Sequence, residues 1–473
     1  MKKVLLLVGG CLLLVSSTIA QTVSQRLQKA FQQFEADSQL KHAISSLYVI
    51  DAKTGEVVFD KNSQIGLAPA STQKIITSVT AFELLGKDYR YKTELGYTGK
   101  IENGSIDGNL VLIGNCDPTF GSWRWATTKP DTIFKNFSQS LIKLNIDFIK
   151  NSYDYGILHF EDQNIPNGWI WQDVGNYYGA GASALNWREN QFEILLESGS
   201  SIGDSVKVVK TNPTLENFSV FSEVKSAAKG TGDNAYAYLP IGLTGIIVRG
   251  TIPANEKRFP ISATIPYPVS QFSGELFASL LINHRISFGF NKQQYTSVLN
   301  GNVIKLRTDY KDIYTHYSPS LDSIIYWFNK KSVNLYGEAL IKTFAYEKQG
   351  FGSTDSGVAI VKKFWKEKGL DPDELNMADG SGLSPLNRVT THAQVEILKY
   401  AKTKDWFQYF YNSLPLYNGM VMKSGTISDV KGFCGYHKAK DGREYIFSFL
   451  VNNYNGKTSA AVNKMYTVLN ELK

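Results

Sequence analysis

The chain opens, after its first twenty residues, on a helical stripe. In "SQRLQKAFQQFEAD", Leu27, Phe31 and Phe34 recur at the spacing of one helix face. Two strand-like runs follow, "AISSLYVID" and "GEVVFD", and "AKTG" between them reads as a hairpin turn. The next segment predicts a helix from Ser71 to Leu85, with Ile75, Ile76, Val79, Phe82 and Leu85 in its stripe and Gly86 as its stop. From about residue 92 to 300 the texture changes. Short strand-like runs such as "GNLVLIGNCDPTF" and "GLTGIIVRGTIP" alternate with Gly, Asn and Asp turns, and helical patterns are scarce. Helices return after 318 in "PSLDSIIYWFNKKS", "NLYGEALIKTFAYE", "DSGVAIVKKFWKEKG" and "THAQVEILKYAK". The end alternates again in "KGFCGYHKA" and "EYIFSFLVNN" before a final helix, "SAAVNKMYTVLNELK". Helix and strand elements at both ends thus bracket a β-rich middle, the pattern of a discontinuous α+β domain carrying an insertion.

Composition narrows the setting. With 473 residues, 43% of them hydrophobic, the chain is long enough for two or three packed domains and too apolar to be disordered. Its 26 Tyr, 26 Phe and 8 Trp suit sheet-rich cores. "MKKVLLLVGGCLLLVSSTIA" has the layout of a cleavable export signal, two lysines and an apolar stretch closing on small residues before Gln21. Cys11 follows "VGG" like a lipid attachment site, but the apolar run continues past it, so lipid anchoring is not expected. No later segment approaches the ~20 apolar residues of a membrane span. An exported, periplasmic protein without a membrane span is expected. The formal charge is +7, of which Lys2 and Lys3 in the signal hold two, leaving +5. That mild excess suits an anionic wall polymer as well as plain solubility, and no basic run interleaved with aromatics suggests nucleic acid. Cys116 and Cys434 show no framework or metal-binding spacing and read as buried free thiols. No metal or other cofactor is expected.

Candidate chemistry begins at "LAPASTQKIIT". Ser-x-x-Lys occurs six times, at Ser38, Ser71, Ser140, Ser222, Ser226 and Ser428, so spacing alone cannot select one. Context does. Ser71 and Lys74 open a helix, Ser332-Val333-Asn334 breaks two later helices, and Lys423-Ser424-Gly425-Thr426 begins the C-terminal strands. A serine hydroxyl needs a base to become a nucleophile. Residues three apart on a helix share a face, so the Lys74 amine can reach Ser71. Burial and a second cation, Lys423, would lower the Lys74 pKa enough for it to serve. Ser332 can pass a proton to a leaving group, and Asn334 can hold Lys74 and a substrate amide. Ser71 N–H and Thr426 N–H are natural donors to an oxyanion. Ser424 keeps a hydroxyl on the strand, and Gly425 is expected to let substrate backbone lie close. Lys53-Thr54-Gly55 imitates the third motif from within a hairpin turn. The G-x-S-x-G at 199–203 lies in a Ser/Gly loop, and His42, His159, His284, His316, His392 and His437 show no ligand spacing.

These motifs carry a resemblance. "PASTQK", "GNLVLIGNCDPTF", "NGWIWQDVGNYYGAGASALN", "SPSLDSIIYWFNKKSVNLYGEAL", "ADGSGLSPLNRVT" and "KSGTISDVKGFCGY" together resemble the D-alanyl-D-alanine carboxypeptidase/endopeptidase family, the type-4 low-molecular-mass penicillin-binding proteins. The resemblance covers essentially the whole mature chain. It implies a β-lactamase/transpeptidase-like domain, an antiparallel sheet flanked by helices, built from 21–91 and 301–473. It also implies an insertion of two nested domains, placed at 92–119 with 191–300 and at 120–190. The 261 positions separating Ser71 from Ser332 leave room for it. The implied activity is cleavage of D-Ala-D-Ala, and of D-Ala-diamino acid cross-links, in peptidoglycan stem peptides, with β-lactam antibiotics acylating Ser71. Asp379 and 381–384 are implied to shape the site. Two departures stand out: Lys-Ser-Gly replaces Lys-Thr-Gly, and "SLPLYNGMVMKSG" is shorter than the family's stretch before the third motif. The alternatives are a β-lactamase, for which no deacylating glutamate can be placed, and a catalytically weak wall-binding scaffold.

Overall fold

The computed structural model describes residues 21–151, 153–156, 159–215, 218–239, 245–289 and 310–473. The expected export signal, with Cys11, and the expected domain limit at 300 lie outside them.

Both faces of the strand Glu444–Asn452 are covered, which is why EYIFSFLVN reads as a nearly unbroken apolar run. On one face Tyr445, Phe447, Phe449 and Val451 pack with Leu27, Phe31 and Phe34 of the first helix, Val23–Glu35, and Met465 and Leu469 of the last, Thr458–Leu469. On the other, Ile446 and Leu450 join Ile75, Ile76 and Val79 of Lys74–Leu85 and Leu335, Tyr336 and Leu340 of Asn334–Gln349. The strand sits inside a six-stranded sheet ordered Val57–Lys61, Ile44–Asp51, Glu444–Asn452, Val430–Lys438, Met420–Ile427 and Leu416–Tyr417. Every neighbouring pair is antiparallel. Register joins the chain ends, with Ile44 opposite Asn452 and Asp51 opposite Tyr445. This is the expected α+β domain.

The segment shortened before the third motif closes as a tight hairpin. Asn418 and Gly419 both have positive φ, 49° and 70°, as a two-residue type I′ turn requires. Leu416 then pairs Val421 and Tyr417 pairs Met420. Pairing stops there, so most of Met420–Ile427 is an open sheet edge.

The insertion is β-rich, but two amphipathic helices, Pro130–Lys143 and Pro268–Ala278, lie where the sequence suggests almost none. Both carry Pro in the first turn, where its missing N–H costs nothing. The inner unit expected over 120–190 has no core of its own among the described residues. Phe120, Phe137, Leu185 and Trp187 pack with Leu95, Leu112, Phe272 and Leu276 in one cluster, whereas residues of 192–265 form another around Ile194, Ile246, Val248 and Ile261. Cross-strand pairing explains the division: Gln191–Glu197 bonds to Phe259–Thr264, while Lys92–Tyr97 bonds to Lys311–Tyr317.

Lys342 on the helix Asn334–Gln349 ties the insertion to the main domain. Fully buried, it donates to Gln163 O at 2.7 Å and Ala182 O at 2.9 Å, and lies 3.4 Å from Glu161. Among the described residues no helix is long and apolar enough to cross a membrane.

Candidate active site

Ser71 lies in a 3₁₀ turn, Ala70–Gln73, running into the α-helix Lys74–Leu85. The helix is buried all round rather than striped: Thr77, Ser78 and Thr80 are as buried as Ile75 and Val79. Its hydroxyls are satisfied, Thr77 donating to Gly380 O at 2.7 Å and Thr80 to Ile76 O at 2.8 Å. Ala70 is held at φ +47°, an uncommon value for a residue with a Cβ. Its carbonyl lies so close to Gly382 that a Cβ there would come within 1.9 Å. Gly425 plays the same part on the strand side, where a Cβ would lie 2.5 Å from Pro69 O and 2.8 Å from Ser71 N. The close approach that Gly425 permits within the protein is that of the turn carrying Ser71.

All three sequence motifs converge. Lys74 Nζ donates to Ser71 Oγ at 2.9 Å, Asn334 Oδ1 at 2.6 Å and the Ser381 carbonyl at 2.7 Å. Lys423 Nζ donates to Ser332 Oγ at 3.1 Å and the Ser424 carbonyl at 2.8 Å. Ser332 sits at φ +56° in the break between the helices Leu321–Lys330 and Asn334–Gln349. Asn334 is the first residue of its helix and does not cap it; the amide spans Lys74 and the Tyr178 carbonyl, to which Nδ2 donates at 2.7 Å. Ser424 is half-buried and Thr426 exposed on the open strand edge. Met422 N–H points outward to Pro415 O at 2.9 Å, and strand parity turns Thr426 N–H the same way.

Electrostatics favour a neutral amine on Lys74. Burial, then the Lys423 charge, hold its pKa well below the usual lysine range, against the opposing pull of Asp379 and Glu338. Burial also lowers Lys423 to about 7, helped by Lys431 and opposed by Cys434. Beneath the amine lie two buried carboxyl groups. Asp379 accepts from Gln73 Nε2, Gly382 N, Ser384 N, Asn387 Nδ2 and, from the insertion, Trp169 Nε1 at 2.9 Å. Glu338 accepts from Gly380 N at 3.0 Å and Ser381 N at 2.9 Å, and burial lifts its pKa to about 8. Together they hold the 379–384 loop so that the Ser381 carbonyl meets Lys74.

Glu338, Gln73, Trp169, Tyr178 and Lys431 are site neighbours that the sequence reading does not single out. Glu338 had a signal: it lies one helical turn after Asn334, in an otherwise apolar stretch. A cleft of about 250 Å³ beside Ser332 and Asn334 is lined by Tyr177, Tyr178, Lys331 and Arg124. The decoys stay apart. Lys53-Thr54-Gly55 forms the turn after Ile44–Asp51, and 199–203 is a loop. Cys116 and Cys434 are buried free thiols.

An antiparallel sheet flanked by helices, with a buried lysine bonded to a half-exposed serine, fits a serine hydrolase of the acyl-transfer class. The chain belongs to the D-Ala-D-Ala carboxypeptidase 3 (S13) family, matching it over residues 27–471, and is a serine-type DD-carboxypeptidase acting on peptidoglycan. It is 25% identical over 500 aligned positions to a D-alanyl-D-alanine carboxypeptidase of Actinomadura sp. (strain R39), covering 97% of this chain and 87% of that one. To the D-alanyl-D-alanine carboxypeptidase DacB of Haemophilus influenzae it is 24% identical, covering 84% and 83%. The crystal structure of penicillin binding protein 4 from Haemophilus influenzae has the same fold, with a TM-score of 0.77 at 20% identity over 94% of this chain and 98% of that one.

Proposed function

We propose that Ser71 attacks the carbonyl of the penultimate D-alanine of a stem peptide, with neutral Lys74 taking its proton. The observation that carries this reading is the 2.9 Å Lys74–Ser71 hydrogen bond, on an amine that burial and Lys423 keep weakly basic. The oxyanion then faces Ser71 N–H and Thr426 N–H. Collapse of the tetrahedral intermediate breaks the C–N bond, and Ser332 delivers a proton to the departing amine. Water hydrolyses the Ser71 ester by the reverse relay. Lys423, Ser424 and Thr426 receive the carboxylate of the leaving residue, and the open strand edge receives substrate backbone by strand addition. The same geometry accepts a D-Ala-diamino acid cross-link, so endopeptidase action belongs to the reading. β-Lactams acylate Ser71. A relative's structure, that of penicillin binding protein 4 from Haemophilus influenzae, is described as complexed with a β-lactam. Peptidoglycan as substrate places the protein's work outside the cytoplasm.

The test incubates the purified protein with muropeptides, monomeric and cross-linked, and follows free D-alanine and monomer by mass spectrometry. D-alanine should appear, and a penicillin adduct should map to the peptide holding Ser71. An adduct on any other serine would sink the assignment.

A pH profile adds a second expectation. Burial lowers Lys423 to about 7 in the free enzyme, so kcat/KM should fall on the alkaline side as Lys423 loses its charge. A bound carboxylate holds the proton on Lys423, so the alkaline limb of kcat should lie higher than that of kcat/KM, because the two parameters report complex and free enzyme. Coincident limbs would show that Lys423 does not meet the substrate carboxylate.

A further inference from the structure

Lys431 belongs to the sixth Ser-x-x-Lys copy, Ser428 to Lys431, which the proposed chemistry leaves unused. It is 8% exposed on the strand Val430–Lys438 and stands directly opposite Thr426 in the ladder. Its Nζ donates to Thr426 Oγ1 at 2.8 Å and lies 4.7 Å from the centre of the Phe433 ring. Among the described residues no carboxylate pairs with it. Lys423, 2% exposed, likewise bonds only to a hydroxyl and a carbonyl. Buried ammonium groups ordinarily have anionic partners, because an unpaired charge away from water is costly. Lys431 bonds the exposed Thr426 directly, and Lys423 lies three residues earlier on the same strand, so two buried cations without carboxylate partners border one open strand edge, a preformed place for an anion. Burial already lowers Lys431 to about 8, the mark of a cation lacking its counter-ion.

The hydroxyl geometry says which anion. Thr426 Oγ1 accepts from Lys431, so its single O–H proton is free to point away from the ammonium, toward the open edge. A planar carboxylate on that edge would accept from Thr426 and sit beside the Lys431 charge that holds the hydroxyl. We infer that Lys431 is a positioning residue for leaving-group specificity: through Thr426 it orients and charges a carboxylate site that selects leaving groups with a free α-carboxylate over amidated ones. The inference rests on the reading of this cleft as a DD-peptidase site. It extends to cross-links, where a diamino acid cleaved at an amine next to its own carboxylate is accepted, and one amidated at that carboxyl is not.

The experiment compares an N-acylated tripeptide ending in D-Ala-D-Ala as the free acid and as the C-terminal amide, reading D-alanine or D-alaninamide. Wild-type protein should prefer the acid. Lys431→Met should lower kcat/KM for the acid about tenfold, mostly through KM, and leave the amide within about twofold, the scale of one charge-assisted hydrogen bond. Lys431→Arg should restore most of the loss. Thr426→Val, on an exposed position that tolerates the change, should narrow the same preference and carries the test if Lys431→Met folds poorly. Equal losses on acid and amide, or no loss on the acid, overturn the inference and leave the DD-peptidase reading standing. A wild-type protein that cleaves neither peptide overturns that reading, and the inference with it.

Discussion

Ser71→Ala lowers D-alanine release by at least about 10⁴-fold, the scale seen when a serine hydrolase loses its nucleophile. The fold should not notice. Ser71 is half-buried, its hydroxyl bonds only to Lys74 among the described residues, and the methyl of alanine fits where Cβ already stands. The backbone N–H at 71 and the Lys423 charge remain, so stem peptide should still bind, with KM nearly unchanged and kcat removed. β-Lactam should bind reversibly and leave no adduct on mass spectrometry. Covalent labelling or D-alanine release surviving in the variant would mean that another group attacks. Among the described residues the only serine Oγ receiving a bond from Lys74 is that of Ser71, and Ser332 faces Lys423. The measurement thus separates the nucleophile from the two other hydroxyls of the cleft.

How much of this was legible beforehand follows from where each interaction lies along the chain. Ser71 and Lys74 meet within one helical turn, so sequence spacing already specifies their contact. The order of the three motifs located Ser332, Asn334 and Lys423, because each falls at a break or start of a regular element that hydrophobic periodicity marks. The terminal strands were legible for the same reason, including Glu444–Asn452, whose apolar run reflects a sheet covered on both faces. The helix Lys74–Leu85 was legible as a helix but not as one buried throughout as far as Phe82. Thr77, Ser78 and Thr80 look like a polar face until their partners, far away in sequence, are in place.

Glu338 and Lys431 were hidden by the same kind of distance. A charged residue inside an apolar stretch is normally read as a surface position. Only the fold shows that Glu338 meets the backbone of Gly380 and Ser381, and that Lys431 lies across the ladder from Thr426. How the insertion divides into cores was not legible, because strand partners 63 or more positions apart decide which segments pack together. The helices Pro130–Lys143 and Pro268–Ala278 are a different case. Ile133, Phe134, Phe137 and Leu141 do carry the helical period, and the surrounding turn residues masked it.

Lys74→Met provides the second large effect, and it should separate activity from stability. Methionine keeps the length and apolar stem of lysine but cannot accept a proton, so acylation should fall by about 10²–10⁴-fold, the usual worth of a general base. Both D-alanine release and penicillin labelling should slow together, since each begins with the same proton transfer. Stability should move the other way or not at all. The folded protein holds the Lys74 proton far more weakly than an unfolded chain does, because burial and Lys423 oppose the charge. Below the unfolded lysine pKa, folding therefore works against protonation of this residue, a cost that grows as pH falls toward the folded value and is then constant. Methionine removes that cost at neutral pH while losing hydrogen bonds to Asn334 and the Ser381 carbonyl. The thermal midpoint at pH 7 should be unchanged or higher, and the difference from wild type should shrink as pH rises toward 10. Losing the charge that Lys74 carries when protonated also weakens the pull on Glu338, so its carboxyl should bind a proton more readily in the variant. A variant that loses both activity and several degrees of thermal midpoint would show that Lys74 is chiefly a structural strut. One that loses activity alone places it as the base, with the surrounding fold arranged to keep an amine uncharged at some expense to its own stability.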